Sequence, residues 1–193
     1  MTPDKKYLKM RIIAGEYRGR RIKQPASGET RPTKDRVREA VFNMIAGQVP
    51  GAYVLDLFSG SGAYALEALS RGAEKAVMIE NDRLCVDAIK ENVKVLGAGG
   101  RSEVIEADVF GSVEGLNAKK EQFDLIFADP PYKKDMVKKA LIIVNHYDIL
   151  KHIGFFILEH HVDEDIPGIE GNVSLYKQKT YGKTAISVFK KND

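Results

Sequence analysis

Between Ala52 and His161 the chain alternates short apolar runs with segments of helical periodicity, and few folds tolerate that pattern. The runs are Ala52–Phe58, Lys75–Glu80, Ser102–Asp108, Phe123–Asp129 and Phe155–His161. They read as strands buried on both faces, which implies a parallel sheet covered by helices on either side. Helices are expected from about Gly62 to Arg71 and from about Lys133 to Leu150. Another carries Val86, Ile89, Val93 and Leu96 at helical spacing behind an Asn81 or Asp82 cap. Right-handed crossovers make such a sheet doubly wound. The end departs from the pattern. Val173–Thr180 and Thr184–Lys190 are separated only by Tyr181, Gly182 and Lys183, too short a gap for a crossover helix. These two runs must form an antiparallel hairpin, giving a seven-stranded, mainly parallel α/β sheet.

The first 50 residues are different in kind. Residues 1–10 are charged, lack the apolar segment of a secretory signal, and read as a flexible extension. Residues 11–23 hold two short runs around Gly15 and Gly19 and suggest a β-hairpin. A loop rich in Pro, Ser, Gly and Thr spans 24–32, and a helix capped by Thr33 is expected to about Gly47. Charge is concentrated here: residues 1–38 hold 12 Lys/Arg against 4 Asp/Glu, a net +8. Residues 39–193 hold 18 against 23, a net −5, and the two sums give the overall +3. A basic end on a mildly acidic body points to a polyanionic partner gripped from one side. The organisation expected is thus an extension (1–10), a basic hairpin and helix contacting that partner (11–50) and a ligand-binding domain (51–193).

At 193 residues a core of ordinary size needs no staple. The single cysteine, Cys85, excludes an internal disulfide framework and suits a reducing cytoplasm. No apolar run is long enough to cross a bilayer. A cytoplasmic monomer or weak dimer, without metal or membrane attachment, is expected.

Ligands of open α/β sheets bind beyond the carboxyl ends of the strands. Four successive ends carry an acid: Asp56, Glu80, Asp108 and Asp129. One such acid is ordinary turn chemistry; four are not. After the first strand, Gly60-Ser61-Gly62-Ala63-Tyr64-Ala65 is a glycine loop that lets a ligand approach a helix N-terminus. It also fits the loose dinucleotide fingerprint, with Glu80 at the spacing of a ribose-binding acid. This half of the chain does not separate a nicotinamide dinucleotide from S-adenosylmethionine.

Asp129-Pro130-Pro131-Tyr132 separates them. Two prolines fix φ and remove two N–H donors, leaving a stiff corner that offers acceptors: the Asp129 carboxylate and a backbone carbonyl, expected from Pro130. An exocyclic base amine has two hydrogens to give and a lone pair lost into the ring. Two rigid acceptors can hold both hydrogens and turn the lone pair toward an electrophile. Tyr132 offers a face on which an unstacked base can lie. Hydride transfer needs none of this.

The segments Arg31–Asn43, the glycine loop through Gly72-Ala73, Asp129–Tyr132 and Thr180–Thr184 together resemble the RsmD family, bacterial methyltransferases acting on guanine N2 of small-subunit (16S) ribosomal RNA. The resemblance runs from about Arg11 to Lys190 and implies a Rossmann-like class I methyltransferase fold with S-adenosylmethionine as cofactor. It implies that Gly60 and Gly62 pass under the methionine part, with Asp56 near its ammonium and Phe58 alongside. Glu80, with Asn81, would hold the ribose. Asp108 would accept from the adenine amine beside Val109 and Phe110. Asp129, Pro130 and Tyr132 would position the guanine. Arg11, Arg18, Arg20, Arg21 and Lys23 would meet RNA phosphates. Arg31, Thr33, Arg36 and Arg38 are open between RNA contact and ordinary surface roles. Arg36 and Arg38, two apart on a helix, do not share a face. Tyr64-Ala65 departs from the family's usual Leu-Gly, without an expected effect on cofactor binding.

Three readings compete: an amino-methyltransferase acting on adenine N6 or cytosine N4 in DNA or other RNA, a nicotinamide oxidoreductase, and a non-catalytic nucleic-acid binder. His160 and His161 read as surface or strand-end residues, and Cys85 as a small core residue. Lys133, Lys134, Lys138 and Lys139 read as a solvated face.

Overall fold

The computed structural model describes residues 7–26, 32–131 and 135–192. In chain order the strands are β1 (Tyr7–Arg11), β2 (Arg21–Pro25), β3 (Tyr53–Leu57), β4 (Lys75–Glu80), β5 (Ser102–Glu106), β6 (Phe123–Ala128), β7 (Leu150–His161), β8 (Ile169–Glu170), β9 (Val173–Tyr181) and β10 (Thr184–Lys191). The helices are α1 (Pro32–Met44), α2 (Ala63–Ser70), α3 (Arg83–Leu96), α4 (Val109–Ala118) and α5 (Met136–His146).

One sheet has the order β5-β4-β3-β6-β7-β10-β9-β8. The pairs β3·β4, β3·β6, β4·β5 and β6·β7 are parallel, and β10 runs antiparallel to both β7 and β9. This is the doubly wound sheet expected, extended by β8, a two-residue strand at the edge. Alternation along each strand sorts the apolar residues onto two faces. Val54, Met78, Phe127 and Ile157 pack with α1, α2 and α3 on one face. Leu55, Leu57, Ile79, Ile126 and Phe156 pack with α4 and α5 on the other.

Several boundaries differ from expectation. The strand β1 begins at Tyr7, inside the segment expected to be a flexible extension, because residues 7–11 pair in register with 21–25. Met10 packs against the core, and the Lys23 ammonium lies 5.3 Å from the Tyr7 ring centroid. Gly15 and Gly19 therefore sit in the loop between the arms. Thr33 falls inside the first turn of α1 rather than capping it, since the helix starts at Pro32, a residue whose missing N–H suits that position. A helix with two glycines, α4, follows β5 where the sequence shows no strong helical periodicity. The strand β7 begins at Leu150, where the preceding helix was expected to continue. Asp82, not Asn81, caps α3, accepting from the Cys85 N–H at 3.0 Å.

The β1–β2 loop is fastened to α2. The Glu67 carboxylate, fully buried, accepts the N–H groups of Ile13 and Ala14 at 2.8 and 3.0 Å. Ser70 Oγ accepts from Tyr17 N and donates to Ala14 O. Gly15 has φ +84°, and a Cβ there would stand 1.8 Å from the Ser70 carbonyl oxygen. Arg38 and Arg71 supply the countercharge, Arg71 Nε to Glu67 at 2.8 Å and Arg38 Nε at 3.6 Å. No described helix is long and apolar enough to cross a membrane.

Candidate active site

The parallel strands end on a cleft of about 540 Å³, within the range of small-molecule sites. Phe58, Gly60, Glu80, Asn81, Asp108, Val109, Asp129 and Pro131 all line it. A recess of about 100 Å³ behind the glycine loop adds Asp56, Tyr64, Arg38 and Glu159, and shares Asp129, Phe58 and Gly60 with the cleft. The strand ends thus converge as the pattern of acids implied.

Local geometry explains how. At the end of β3, Phe58 holds φ +58°, a left-handed conformation costly for an aromatic residue. It reverses the chain into Gly60 (φ 56°) and Gly62 (φ 75°), and Gly62 stands at the N-cap of α2. A Cβ on Gly62 would approach Met78 Sδ to 3.0 Å, whereas Gly60 faces open space. Glu80 holds this loop. One of its oxygens accepts from Gly60 N at 2.7 Å, and the other from Asn81 N and Asp82 N at 2.8 and 2.9 Å. The carboxyl group lines the cleft, held in place by these three N–H groups.

Asp56 is buried and accepts from Ala65 N at 3.1 Å in the first turn of α2. Burial pushes its pKa well above the usual carboxylate range, and the charges of Asp129 and Glu80 push the same way against the Ala65 hydrogen bond. Acids gathered this closely favour a cationic guest. Tyr64 stacks on Phe127 with centroids 5.2 Å apart and donates to Glu159 at 2.9 Å. Burial first, then the charges of Glu159 and Asp129, raise the Tyr64 pKa well above the ordinary phenol, so it stays a donor. The Tyr64 departure from the family pattern is therefore part of the recess wall.

Asp108 caps α4, accepting from Gly111 N at 3.0 Å, and Val109 is buried beneath. Phe58 and Phe110 meet edge-on with centroids 6.2 Å apart. Asp129 is half-buried, Pro130 buried and Pro131 exposed. Tyr132 and Arg31 lie outside the described residues, as does the Thr33 side chain.

Several sequence readings need correction. Arg38 is 2% exposed: its guanidinium donates to the Arg11 carbonyl at 2.8 Å and to Asp35 at 3.1 Å. It is a buried strut, not a phosphate contact. Cys85 is half-buried in the cleft wall rather than in the core, its thiol pushed up to about 12 by burial and by Glu80 and Asp82. His160 is buried, with Nε2 2.8 Å from Ser187 Oγ, because its strand is covered on that face. His161 is half-buried at the strand end beside Asp163.

The remaining cations of the hairpin differ. Arg18, Arg21 and Arg36 are exposed. Lys23 pairs with Glu91 at 2.6 Å, Arg20 donates to the Val95 carbonyl, and Arg11 lies 3.8 Å from Asp35. Sequence reasoning missed Glu159, although it stands near the end of an apolar strand like the other four acids. It also missed Gln24 and Pro25 of β2, which roof the cleft and carry no local signal. Among the described residues no cluster of three or more His, Cys, Asp or Glu could hold a metal ion.

Residues 10–190 match the family model described as Conserved hypothetical protein 95, which corresponds to the RsmD family. The chain belongs to that family. Among RsmD relatives, YlbH of Bacillus subtilis is 36% identical over 94% of this chain and 99% of its own length. Ribosomal RNA small subunit methyltransferase D of Escherichia coli is 34% identical over 94% and 90%. The solved Escherichia coli protein yhhF superposes with a TM-score of 0.84 at 30% identity, covering 96% of this chain and 99% of that one. The RsmD fold is the Rossmann-like methyltransferase fold described above.

Proposed function

We propose that the protein transfers a methyl group from S-adenosylmethionine to the exocyclic N2 amine of a guanine in small-subunit ribosomal RNA. The cofactor fits the cleft by charge and size. It is cationic at both sulfonium and ammonium, and the carboxyl groups of Asp56, Glu80 and Asp129 form an acidic floor for it. Asp56 takes the ammonium, Glu80 the ribose hydroxyls and Asp108 the adenine amine, with Phe58, Val109 and Phe110 around the ring. Bound there, the cofactor supplies a methyl group already activated for displacement. The chain's own work is alignment. Asp129 and the Pro130 carbonyl accept the two amine hydrogens, and Tyr132 supports the base. The released proton passes to Asp129 or to water, so no strong base is required.

The observation that carries this reading is the position of Asp129, shared by the cleft and the recess at the end of β6. RNA as substrate is supported by the basic hairpin and by the name of the Escherichia coli relative. The test is transfer of labelled methyl to small-subunit RNA or particles from cells lacking the protein. One N2-methylguanine is expected. Label on an adenine or cytosine, or on DNA alone, overturns the assignment.

A further inference from the structure

The outer hairpin, β9–β10, has no part in the site above, although its turn lies within a segment shared with the family. From Gly171 to Asn192 the chain carries five lysines and no acid. Lys191 pairs with Asp148 at 2.7 Å. Lys177, Lys179 and Lys183 are exposed, and none has an ion pair among the described residues.

Register places Lys177, Lys179 and Tyr181 on one face, and Lys183 follows in the turn. Lys177 opposes Val188, Lys179 opposes Ile186 and Tyr181 opposes Thr184. Directly opposed residues of an antiparallel pair point the same way. Val188 and Ile186 belong to the core face that also holds the apolar residues of α1, on which Arg36 is exposed. Pairing shifts at Val188/Phe189, so Tyr176 is the extra residue of a bulge. Tyr176 leans edge-on against Phe155 of the same face at 5.4 Å and remains 61% exposed. Among the described residues, β9 beyond Ser174 pairs with no strand other than β10.

Because β10 starts opposite the end of β7, the β9–β10 turn stands at the rim where Asp129 lies. The sheet order puts β9 three strands from β6, roughly 15 Å away at ordinary strand spacing. The track from Tyr176 to Lys183 climbs toward that rim over about 20 Å.

We infer that this track is a second RNA-binding surface, gripping the phosphates of the strand that flanks the target nucleotide, with Tyr176 stacking one base or ribose. The inference rests on the RNA reading above. Its chemistry is that of nucleic-acid surfaces that interleave cations with an aromatic face. It also answers the hairpin at the other end of the cleft, where several cations are already engaged by protein groups.

The test compares Lys177→Ala/Lys179→Ala/Lys183→Ala with wild type and with Arg18→Ala/Arg21→Ala. RNA affinity is measured across salt concentrations, alongside KM for RNA, cofactor Kd and Tm. The triple variant should lower the salt slope by about 2–3 and raise KM at least about tenfold, with Kd for S-adenosylmethionine unchanged. Tyr176→Ala should weaken RNA about tenfold with little change in slope, and Tyr176→Phe should restore it. If the triple variant keeps the wild-type slope and KM, or merely aggregates through its bared edge, the surface is not an RNA contact. A loss of slope in the arginine variant alone would sink this inference and leave the RNA reading standing. Wild type that methylates no RNA would sink both.

Discussion

Asp129 and Asp56 are both acids beside the same small space, yet they should fail in different ways. Asp129→Ala is expected to lower turnover at least about a hundredfold while leaving cofactor Kd within a factor of a few, because it removes alignment rather than binding. Equilibrium binding beside single-turnover methylation separates the two. Glu80→Ala should weaken cofactor binding and also lower Tm, since it strands three backbone donors. For Asp56 the sign follows from its raised pKa. The unfolded chain ionises this carboxyl in the ordinary range, while the folded, ligand-free protein holds its proton to higher pH. Its contribution to stability is therefore greatest at low pH and declines as pH climbs from the ordinary carboxylate value to the raised one. A cationic guest needs the ionised form, so cofactor binding should tighten over the same interval and release a proton. Asp56→Asn should raise Tm at neutral pH and abolish both effects. Calorimetry in buffers of different ionisation enthalpy reads the proton, and an unchanged pH profile in the variant would refute the assignment.

At the scale of elements, patterns with a period were legible and interactions across the chain were not. The apolar runs identified β3 to β7, and a gap of three residues fixed the antiparallel hairpin. Missing was α4, whose Gly111 and Gly115 dilute the helical signal. The fastening of the β1–β2 loop was equally invisible, because Glu67 stands in an alanine-rich helix while the loop N–H groups it accepts lie more than 50 residues away. Arg38 reads as one more cation of a basic segment for the same reason. Arg38→Ala should destabilise the fold by about 3 kcal/mol, the cost of leaving a buried acid poorly matched, without altering the salt slope of RNA binding. Arg18→Ala/Arg21→Ala should do the reverse: no change in Tm, and a slope lower by about 2. Denaturation and salt titration of the two variants make the comparison.

For the molecule as a whole, the sequence shows one basic end, and the structure distributes that charge more unevenly. Arg38 is spent internally, and Lys23 and Arg20 are partly committed to α3. The acids of the candidate site were legible because each stands at or near the end of a strand, and four of the five were found by that rule. Glu159 obeys it too, but two histidines separate it from the end of its strand. The roof of the cleft, Gln24 and Pro25, depends on how a distant hairpin docks, and no local rule reaches that far.

That docking has a consequence for how a substrate is met. A carboxylate sealed from water at the root of the hairpin makes the roof a rigid jaw rather than a swinging arm. A jaw of fixed gape cannot wrap around its guest. Such a jaw would favour a nucleotide that arrives already turned outward, leaving discrimination to the shape an RNA brings with it.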